Sequence, residues 1–563
     1  MHNREEKIEV TLFAIALAVA ILLRFLSLGS NALTDAEASQ TLQAFHLANG
    51  NLVSVGGQPG YVALTTFLFY VFPASNFWAR FWPALFGSLL VLVPLLYKPW
   101  IGKRPALLLA FVLALEPGLT AISRTAGSEM MVITCILAAL GFFLRHKPIL
   151  AGISAGLAIL AGTPFWLGAA TLALSLFLFK WVVKQDVFEP EKTAPKFWTP
   201  ALISAGATLI AVGTLFGTNP LILSGLGSGL VDFFTAFVTK GGVSISIMLL
   251  GLLLTQVLIV PLAIFGIAAG PEEKNKLSIL MIFWLLLLFV LTLLPAARQV
   301  VNWAWFVIPL SVLAVIGLEA LLGKLQTDQW KLSLVEAAAV LALIVYSYLN
   351  LLSLVNNPSA DSVMLRNQVL AVVLPVAMIL VVTLLVGWGW SFVAARQGLV
   401  LGVVAILGFV TFGNTWKAAG LGPRPEAELW RSGAAPVGAQ ALVSSVEDIS
   451  LYTHGLVDAI DVKLIGQTDP ALQWALREFA DLKTDSVIGS DDTTSVLVSD
   501  SDLSPSLNSI YRGQSIQWKS QIDYSQMDGF DWIKWFDMRD VPKTNLNLLL
   551  WARNDLFKGS SQN

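Results

Sequence analysis

Apolar runs of about 17–25 residues, separated by short polar breaks, organise the first three quarters of the chain. A run of that length crosses a bilayer as one helix. The first, residues 8–28, is too long for the apolar part of a signal peptide and no small-residue cleavage site follows it, so it reads as a retained span. Further spans are expected at 78–97, 105–122, 129–144, 148–161, 165–183, 198–216, 243–269, 277–294, 303–322, 332–355, 368–390 and 398–416, which makes about thirteen. A long mixed segment, 29–77, separates the first two. Within it, 35–49 reads as an amphipathic helix at the interface with Leu42, Phe45 and Leu47 toward lipid, and 61–72 as an interfacial or re-entrant helix too short to cross. From 417 to 563 the chain is polar, with strand-like pieces at 441–446, 495–498, 515–518 and 546–551 and a helical piece at 470–482. The pattern predicts an α-helical polytopic membrane protein followed by an α/β domain of about 140 residues. There is no internal repeat.

Composition agrees: 56% of residues are hydrophobic, only 13% are charged, and the mean hydropathy is +0.72. Soluble chains carry about a quarter charged residues, so this is an integral membrane protein. The net charge of -2 gives no support to nucleic-acid binding. One cysteine, Cys135, rules out an internal disulfide, and the scattered His2, His46, His146 and His454 have no zinc-ligand spacing. Cationic residues sort the loops. Lys98, Lys103, Arg104, Arg145, Lys147, Lys184, Lys192, Lys196, Lys274, Lys276, Lys324, Lys331 and Arg396 fall on one side with Arg4 and Lys7, against mostly single cations on the other. The positive-inside rule then sets the N-terminus in the cytoplasm of a cell-membrane protein, with the 29–77 loop and the C-terminal domain extracytoplasmic.

Acids beside apolar spans are candidates for chemistry. Asp35 and Glu37 lie just past the first span; as Thr34-Asp-Ala-Glu37 they also fit a helix capping box, which accounts for Glu37 better than for Asp35. Arg80, Arg124, Lys240 and Arg298 stand at the outer ends of expected spans. Each could snorkel to headgroups, or the group could hold a phosphate. In Ser123-Arg-Thr-Ala-Gly-Ser-Glu129, Ser128 is a candidate cap and Glu129 a first-turn acid or a supporting site residue. Glu116, at apolar depth, requires a partner, and Arg124 is the candidate. In the C-terminal domain Trp518, Trp532, Trp535, Phe536 and Trp551 form either a core or a sugar-stacking face. No phosphate-binding loop, nucleophile elbow or HExxH motif occurs.

These pieces together resemble a known family. An Arg-bearing first helix, the acidic loop, Gln58-Pro-Gly-Tyr61, Phe77-Trp-Ala-Arg80 and Ser123-Arg124 followed by Ser128-Glu129 are similar to the GT-C glycosyltransferases, in the group of protein O-mannosyltransferases and lipid A aminoarabinose transferases. The resemblance covers about the first 180 residues and the layout of a polytopic core with an exported domain; the segment Pro470 to Phe479 also looks like one in the exported domain of relatives. It departs where Ala36 separates the two acids and where Gln58 replaces a histidine before Pro59. The resemblance implies a GT-C bundle that moves a sugar from a polyprenyl-phosphate donor to a protein, lipid or glycan acceptor by an inverting displacement. Asp35 is then the base, Glu37 the second acid, and Arg80, Arg124, Lys240 and Arg298 the phosphate ligands, supported by Glu116 and Glu129. A divalent cation, Mg or Mn, on Asp35 and Glu37 is left open. The alternative is a non-enzymatic flippase-associated or assembly component; acids at one surface and the lack of repeated halves favour the enzyme.

Overall fold

The computed structural model describes residues 2–184, 197–269, 275–323, 329–359, 361–431, 433–466, 469–487, 492–500 and 509–557. Among these, seven helices are long and apolar enough to cross a membrane, or eight if one sharply bent pair is a single span, rather than the expected thirteen or so. Glu129–Leu144, Pro148–Leu160 and Trp198–Gly213 hold 16, 13 and 16 residues. At about 1.5 Å per residue they reach roughly 20–24 Å, less than a bilayer core of about 30 Å.

Two expected spans are broken, and the breaks meet. The 105–122 run ends its first helix at Leu115 because Pro117 starts a new one, Pro117–Ile122. The 243–269 run splits into Ile245–Thr255 and Ile259–Ala269, bent by 86°. Backbone freed inside a bundle must find partners. Glu116 supplies them: its carboxylate accepts from Gly118 N at 2.8 Å and from Leu119 N, and Gln256 at the other break donates to it. The partner of Glu116 is therefore Gln256 and a helix start, not Arg124. Near the C-terminal end of the bundle, Trp330–Asn356 packs against Ser362–Val386 and Phe392–Ala418, with a five-residue π-helical stretch, Gly387–Ser391, between the last two.

The 29–77 segment contains helices Asp35–Ala48 and Pro59–Val71. Leu42 and Leu47 do not face lipid: they are buried in a core shared with the C-terminal domain, and Phe45 sits edge-on to Trp474. That domain is a five-stranded sheet of β1 (Asp461–Ile465), β2 (Asp481–Asp485), β3 (Val496–Asp500), β4 (Tyr511–Ile522) and β5 (Lys543–Arg553), in the order β2-β1-β3-β5-β4. β1 runs parallel to β2 and β3; β5 is antiparallel to β3 and β4. The expected strand at 441–446 is part of a helix, Ala439–His454, whose Leu442 and Val446 are one turn apart and both bury against the sheet. The 470–482 piece is shorter than expected: the helix is Pro470–Ala475, and the chain re-enters the sheet as β2. A third helix, Gly529–Met538, lies between β4 and β5 in sequence.

Candidate active site

The Asp35–Ala48 helix begins with the expected capping box, Thr34 N donating to Glu37 Oε2 at 3.0 Å. The box is only part of what holds Glu37. Arg80 Nε reaches Oε1 at 2.8 Å, Arg80 Nη2 reaches Oε2 at 2.9 Å, and Ala126 N donates to Oε1 at 2.9 Å. Burial alone would raise this carboxyl's pKa; the Arg80 charge and the hydrogen bonds from Arg80, Thr34 and Ala126 outweigh it and hold it below the usual range. The remaining Arg80 N–H groups go to Asn31 O at 2.7 Å and Ala32 O at 3.1 Å, and the side chain is buried.

Arg124 is similarly committed. Its Nη1 donates to Leu23, Arg24 and Leu26 carbonyls at 3.1, 3.0 and 2.8 Å, and its Nη2 to Ser27 O at 3.2 Å, closing the C-terminal end of the first helix. Arg24, which no site expectation included, closes the next broken end, with Leu113 O at 3.0 Å, Ala114 O at 3.2 Å and Ser123 Oγ at 3.1 Å. Gly87 makes room for this pair, since a Cβ there would collide with Ser123 Oγ. Arg80 and Arg124 thus saturate backbone carbonyls and a carboxylate instead of facing an open phosphate site.

Asp35 turns away from Glu37, toward the sheet domain. Lys519 on β4 bridges Asp35 Oδ2 at 2.5 Å and Asp469 Oδ2 at 2.6 Å, and Ala471 N donates to Asp35 Oδ1 at 3.2 Å. Asp469 caps the Pro470–Ala475 helix and also accepts from Trp518 Nε1 at 2.8 Å. The two carboxylates share one ammonium, so they separate. Asp469 resists its burial through Asp35, Lys519 and Trp518 and lies low, whereas Asp35 is raised by burial and by Asp469 against the pull of Lys519. Trp474 Nε1 donates to Asn76 Oδ1 at 2.7 Å, and Arg477 Nη2 donates to Ala74 O at 2.8 Å. The Pro470 to Phe479 segment is the clamp between the sheet domain and the first loop.

One open polar cavity, of about 510 Å³, lies between the first loop and the sheet domain and is lined by Ser30, Asn76, Glu447, Asp458 and Arg477; a second lies within the bundle. A cavity of about 310 Å³ is lined by two carboxylates, Glu129 and Asp232, with Gln40, Gln58, Thr163 and Asn302, above an apolar wall that includes Ile133, Leu167 and Trp305. Gln58 orients Glu129: its Oε1 accepts from Ser128 N at 3.0 Å and its Nε2 reaches Glu129 Oε1 at 3.4 Å. Ser128 does not cap the helix with its side chain; its Oγ donates to Ala161 O at 2.7 Å. Asp232 projects from Ser224–Thr235, and among the described residues nothing donates to its carboxylate. It comes close because Gly57 has no side chain: a Cβ would meet Asp232 Oδ2 and Thr163 Oγ1. The sequence reading passed over Asp232; its signal is the glycine series Gly225, Gly227 and Gly229 one side of it, two of which pack on the Gly56–Gly57 backbone.

Lys240 and Arg298 do not line this cavity, but residues near them in the chain do. Their segments pair through Gly242 N to Ala296 O at 3.1 Å and Val243 N to Arg298 O at 3.0 Å, and Pro295, Ala297 and Gln299 line the cavity. Lys240 is exposed; Arg298 donates from Nη1 to Pro295 O at 3.1 Å, and its Nε, like that of Arg124, is buried with no hydrogen-bond partner among the described residues. Of the expected site residues, Glu129 lines the cavity, and Asp35, Glu37, Arg80, Glu116, Arg124, Lys240 and Arg298 do not. Asp35 and Glu37 do not fit a shared metal: each is neutralised by a different cation, and no described group of three His, Cys, Asp or Glu side chains converges.

Residues 46–216, which contribute Gln58, Glu129 and Thr163 to the cavity, match the family model described as dolichyl-phosphate-mannose-protein mannosyltransferase. No curated protein sequence matches the chain. Among solved structures, the chain is similar to the Cupriavidus metallidurans ArnT bound to undecaprenyl phosphate, at 16% identity and a TM-score of 0.51 over 87% of this chain and 93% of that one. The apo state of the same ArnT gives 17% and 0.49, covering 87% and 93%. The apo Archaeoglobus fulgidus oligosaccharyltransferase gives 14% and 0.46, covering 87% of this chain and 69% of that one. The fold is that of the GT-C enzymes. With the family match, the protein is a multi-pass membrane glycosyltransferase.

Proposed function

We propose that the protein transfers a sugar from a polyprenyl-phosphate carrier to an acceptor at the extracytoplasmic face, with inversion at the anomeric carbon. The observation that carries this is the cavity that holds Glu129 and Asp232 open to a ligand; the segments that carry Lys240 and Arg298 pair beside its lining residues Pro295, Ala297 and Gln299. The donor class follows from the two likenesses: the family is named for a dolichyl-phosphate sugar, and the ArnT structure holds undecaprenyl phosphate. The sidedness rests on the cation-poor loops that share this end of the bundle.

In this reading Asp232 is the base, because its carboxylate carries no donor from the protein and opens into the cavity. It takes the proton of an acceptor hydroxyl or amine as that atom bonds to the anomeric carbon. The bond from that carbon to the phosphate oxygen breaks, and the electron pair leaves with the lipid phosphate. Lys240 and Arg298 stabilise the growing charge there. Glu129, held by Gln58, orients the acceptor or the sugar. The apolar wall takes the start of the isoprenoid.

The test is transfer in proteoliposomes from a synthetic polyprenyl-phosphate sugar. Asp232→Asn and Glu129→Gln are each expected to lose about 10²–10⁴-fold in kcat, with Asp35→Asn retaining most of the activity. Loss in Asp35→Asn with full activity in the two cavity variants would return the base to the first loop and overturn this assignment.

A further inference from the structure

Helix Gly529–Met538, GFDWIKWFDM, is not part of the glycosyl-transfer site. It carries two of its largest apolar side chains in the open: Phe530 is 54% and Met538 52% exposed. Its opposite side is fixed. Trp535 is fully buried, donates from Nε1 to Ala427 O at 2.8 Å and lies under the Arg539 guanidinium, whose Nη2 is 3.0 Å from Glu428. Trp532, Trp535 and Phe536 belong to one core with Ile247 and Leu254 of the broken span Ile245–Thr255. These aromatics are thus core, and no sugar-stacking face forms from them.

The helix is anchored to the bundle at a definite height. Tyr348 OH donates to Asp537 Oδ1 at 2.7 Å, and Lys417, one residue before the end of Phe392–Ala418, donates from Nζ to Phe536 O at 2.8 Å. Tyr348 lies eight residues before the end of Trp330–Asn356, about 12 Å along the axis. That helix has 27 residues, about 40 Å against a hydrocarbon core of about 30 Å. With the helix centred on the core its end overhangs by about 5 Å, so Tyr348 sits about 7 Å inside the boundary, within the depth of about 5–10 Å at which interfacial helices bury their apolar face. The surface of the same helix beside it, Tyr346 at 55% and Leu349 at 59% exposed, is the outward surface of a membrane span. Gly529–Met538 packs beside that span; on the arc between Phe530 and Met538 it carries Lys534, ion-paired to Asp531 at 3.6 Å, so an apolar and a charged residue alternate there as in helices that lie flat at an interface.

We propose that Gly529–Met538 is an interfacial anchor that dips Phe530 and Met538 into the bilayer and so fixes the height of the sheet domain on the bundle. The occupant of this surface is the lipid headgroup layer, not a soluble partner or a second copy. The adjoining cavity of about 300 Å³, lined by Asn356, Arg424, Lys534 and Asp537, is of a size for a headgroup.

Cysteine labelling tests this on the full chain. The single native thiol, Cys135, is 4% exposed and stays unlabelled. An environment-sensitive fluorophore is placed at Phe530→Cys, and at Val487→Cys as the control; Val487 is 74% exposed just past β2, the edge strand farthest from β4. In liposomes the probe at 530 is expected to shift to the blue and to lose emission to nitroxide lipids labelled near the headgroup more than to those labelled deep in the chain. The probe at 487 is expected to stay water-like. A water-like, unquenched probe at 530 overturns the proposal. So does a blue shift that grows with protein-to-lipid ratio without lipid quenching, which would make the surface a contact between copies.

Discussion

The first-loop helix and the cavity beneath it each present a pair of carboxylates, and they treat them in opposite ways. In the loop, Glu37 is closed off by Arg80, Thr34 and Ala126, and Asp35 is shared with Lys519 and Asp469. In the cavity, Glu129 has one amide partner and Asp232 none among the described residues. A paired buried acid cannot lose its partner without destabilising the fold, whereas an acid with no donor is free to exchange a proton. The loop acids are the more conspicuous in sequence because they stand together. The cavity acids are 103 residues apart (232 − 129) and meet only through glycine contacts at Gly57, Gly225 and Gly229.

Breaking the closed pair should have the largest effect. Arg80→Ala leaves Glu37 buried without its cation, at a cost of about 3–5 kcal/mol. The expected outcome is a large fall in the thermal unfolding temperature in detergent, with loss of folded yield; Glu37→Gln alone should be milder because the capping and Ala126 bonds survive in part. Unchanged melting of Arg80→Ala would make the pair dispensable. Next comes Gly57→Ala. Its methyl group would push Asp232 and Thr163 apart, and a shift of about 1 Å at a reacting group costs about 10²-fold in rate. Transfer should fall by about that factor with melting little changed, which a purely structural glycine would not show.

Much of the fold was legible because periodicity and charge sorting act locally. The first span, the helices at Asp35 and Pro59, β3 to β5 and the switch to a polar domain all follow from runs and alternation. What was not legible depends on partners remote in sequence. Glu116 reads as a stray acid until Gln256, 140 residues on, is brought to it. Arg124 reads as a phosphate ligand until the end of the first helix is seen to need its donors. The 441–446 piece has β-type composition but is helical because Leu442 and Val446 need one face of the sheet. Glu129 was visible as a candidate, while Asp232, between spans, was marked only by the glycines Gly225, Gly227 and Gly229 that precede it.

The clamp between loop and sheet domain gives a smaller effect. Lys519→Ala leaves Asp35 and Asp469 facing each other without their shared ammonium, and loss of such charged hydrogen bonds costs about 1.5–3 kcal/mol. Asp35 is 43% exposed and water would relieve part of this. Limited proteolysis should cut the 417–440 connection faster in the variant, while Lys519→Arg should restore the wild-type pattern. Equal cleavage rates would show that Trp474 and Arg477 hold the domain alone.

The smallest effect is confined to the sheet domain, away from both acid pairs, and it calibrates what an ordinary surface ion pair contributes in this chain. Lys463 on β1 contacts Asp492 at 2.5 Å and Asp485 at 2.7 Å. Partial burial opposes ionisation of Asp492, but Lys463 and the Thr494 hydroxyl and amide overcome it and hold its pKa at about 2. A depressed carboxylate stabilises the folded state above its unfolded pKa of about 3.9 and loses that contribution as pH falls toward 2. The pair is near solvent, so the contribution is about 1 kcal/mol or less. Wild-type protein should therefore lose some sheet-domain stability between pH 5 and about 2.5, read as faster amide exchange on β1 and β3. Asp492→Asn should start less stable at pH 5 and show a flatter dependence. An identical pH slope in both proteins would assign the acid sensitivity to other groups, with the Asp35–Lys519–Asp469 triad the next to test.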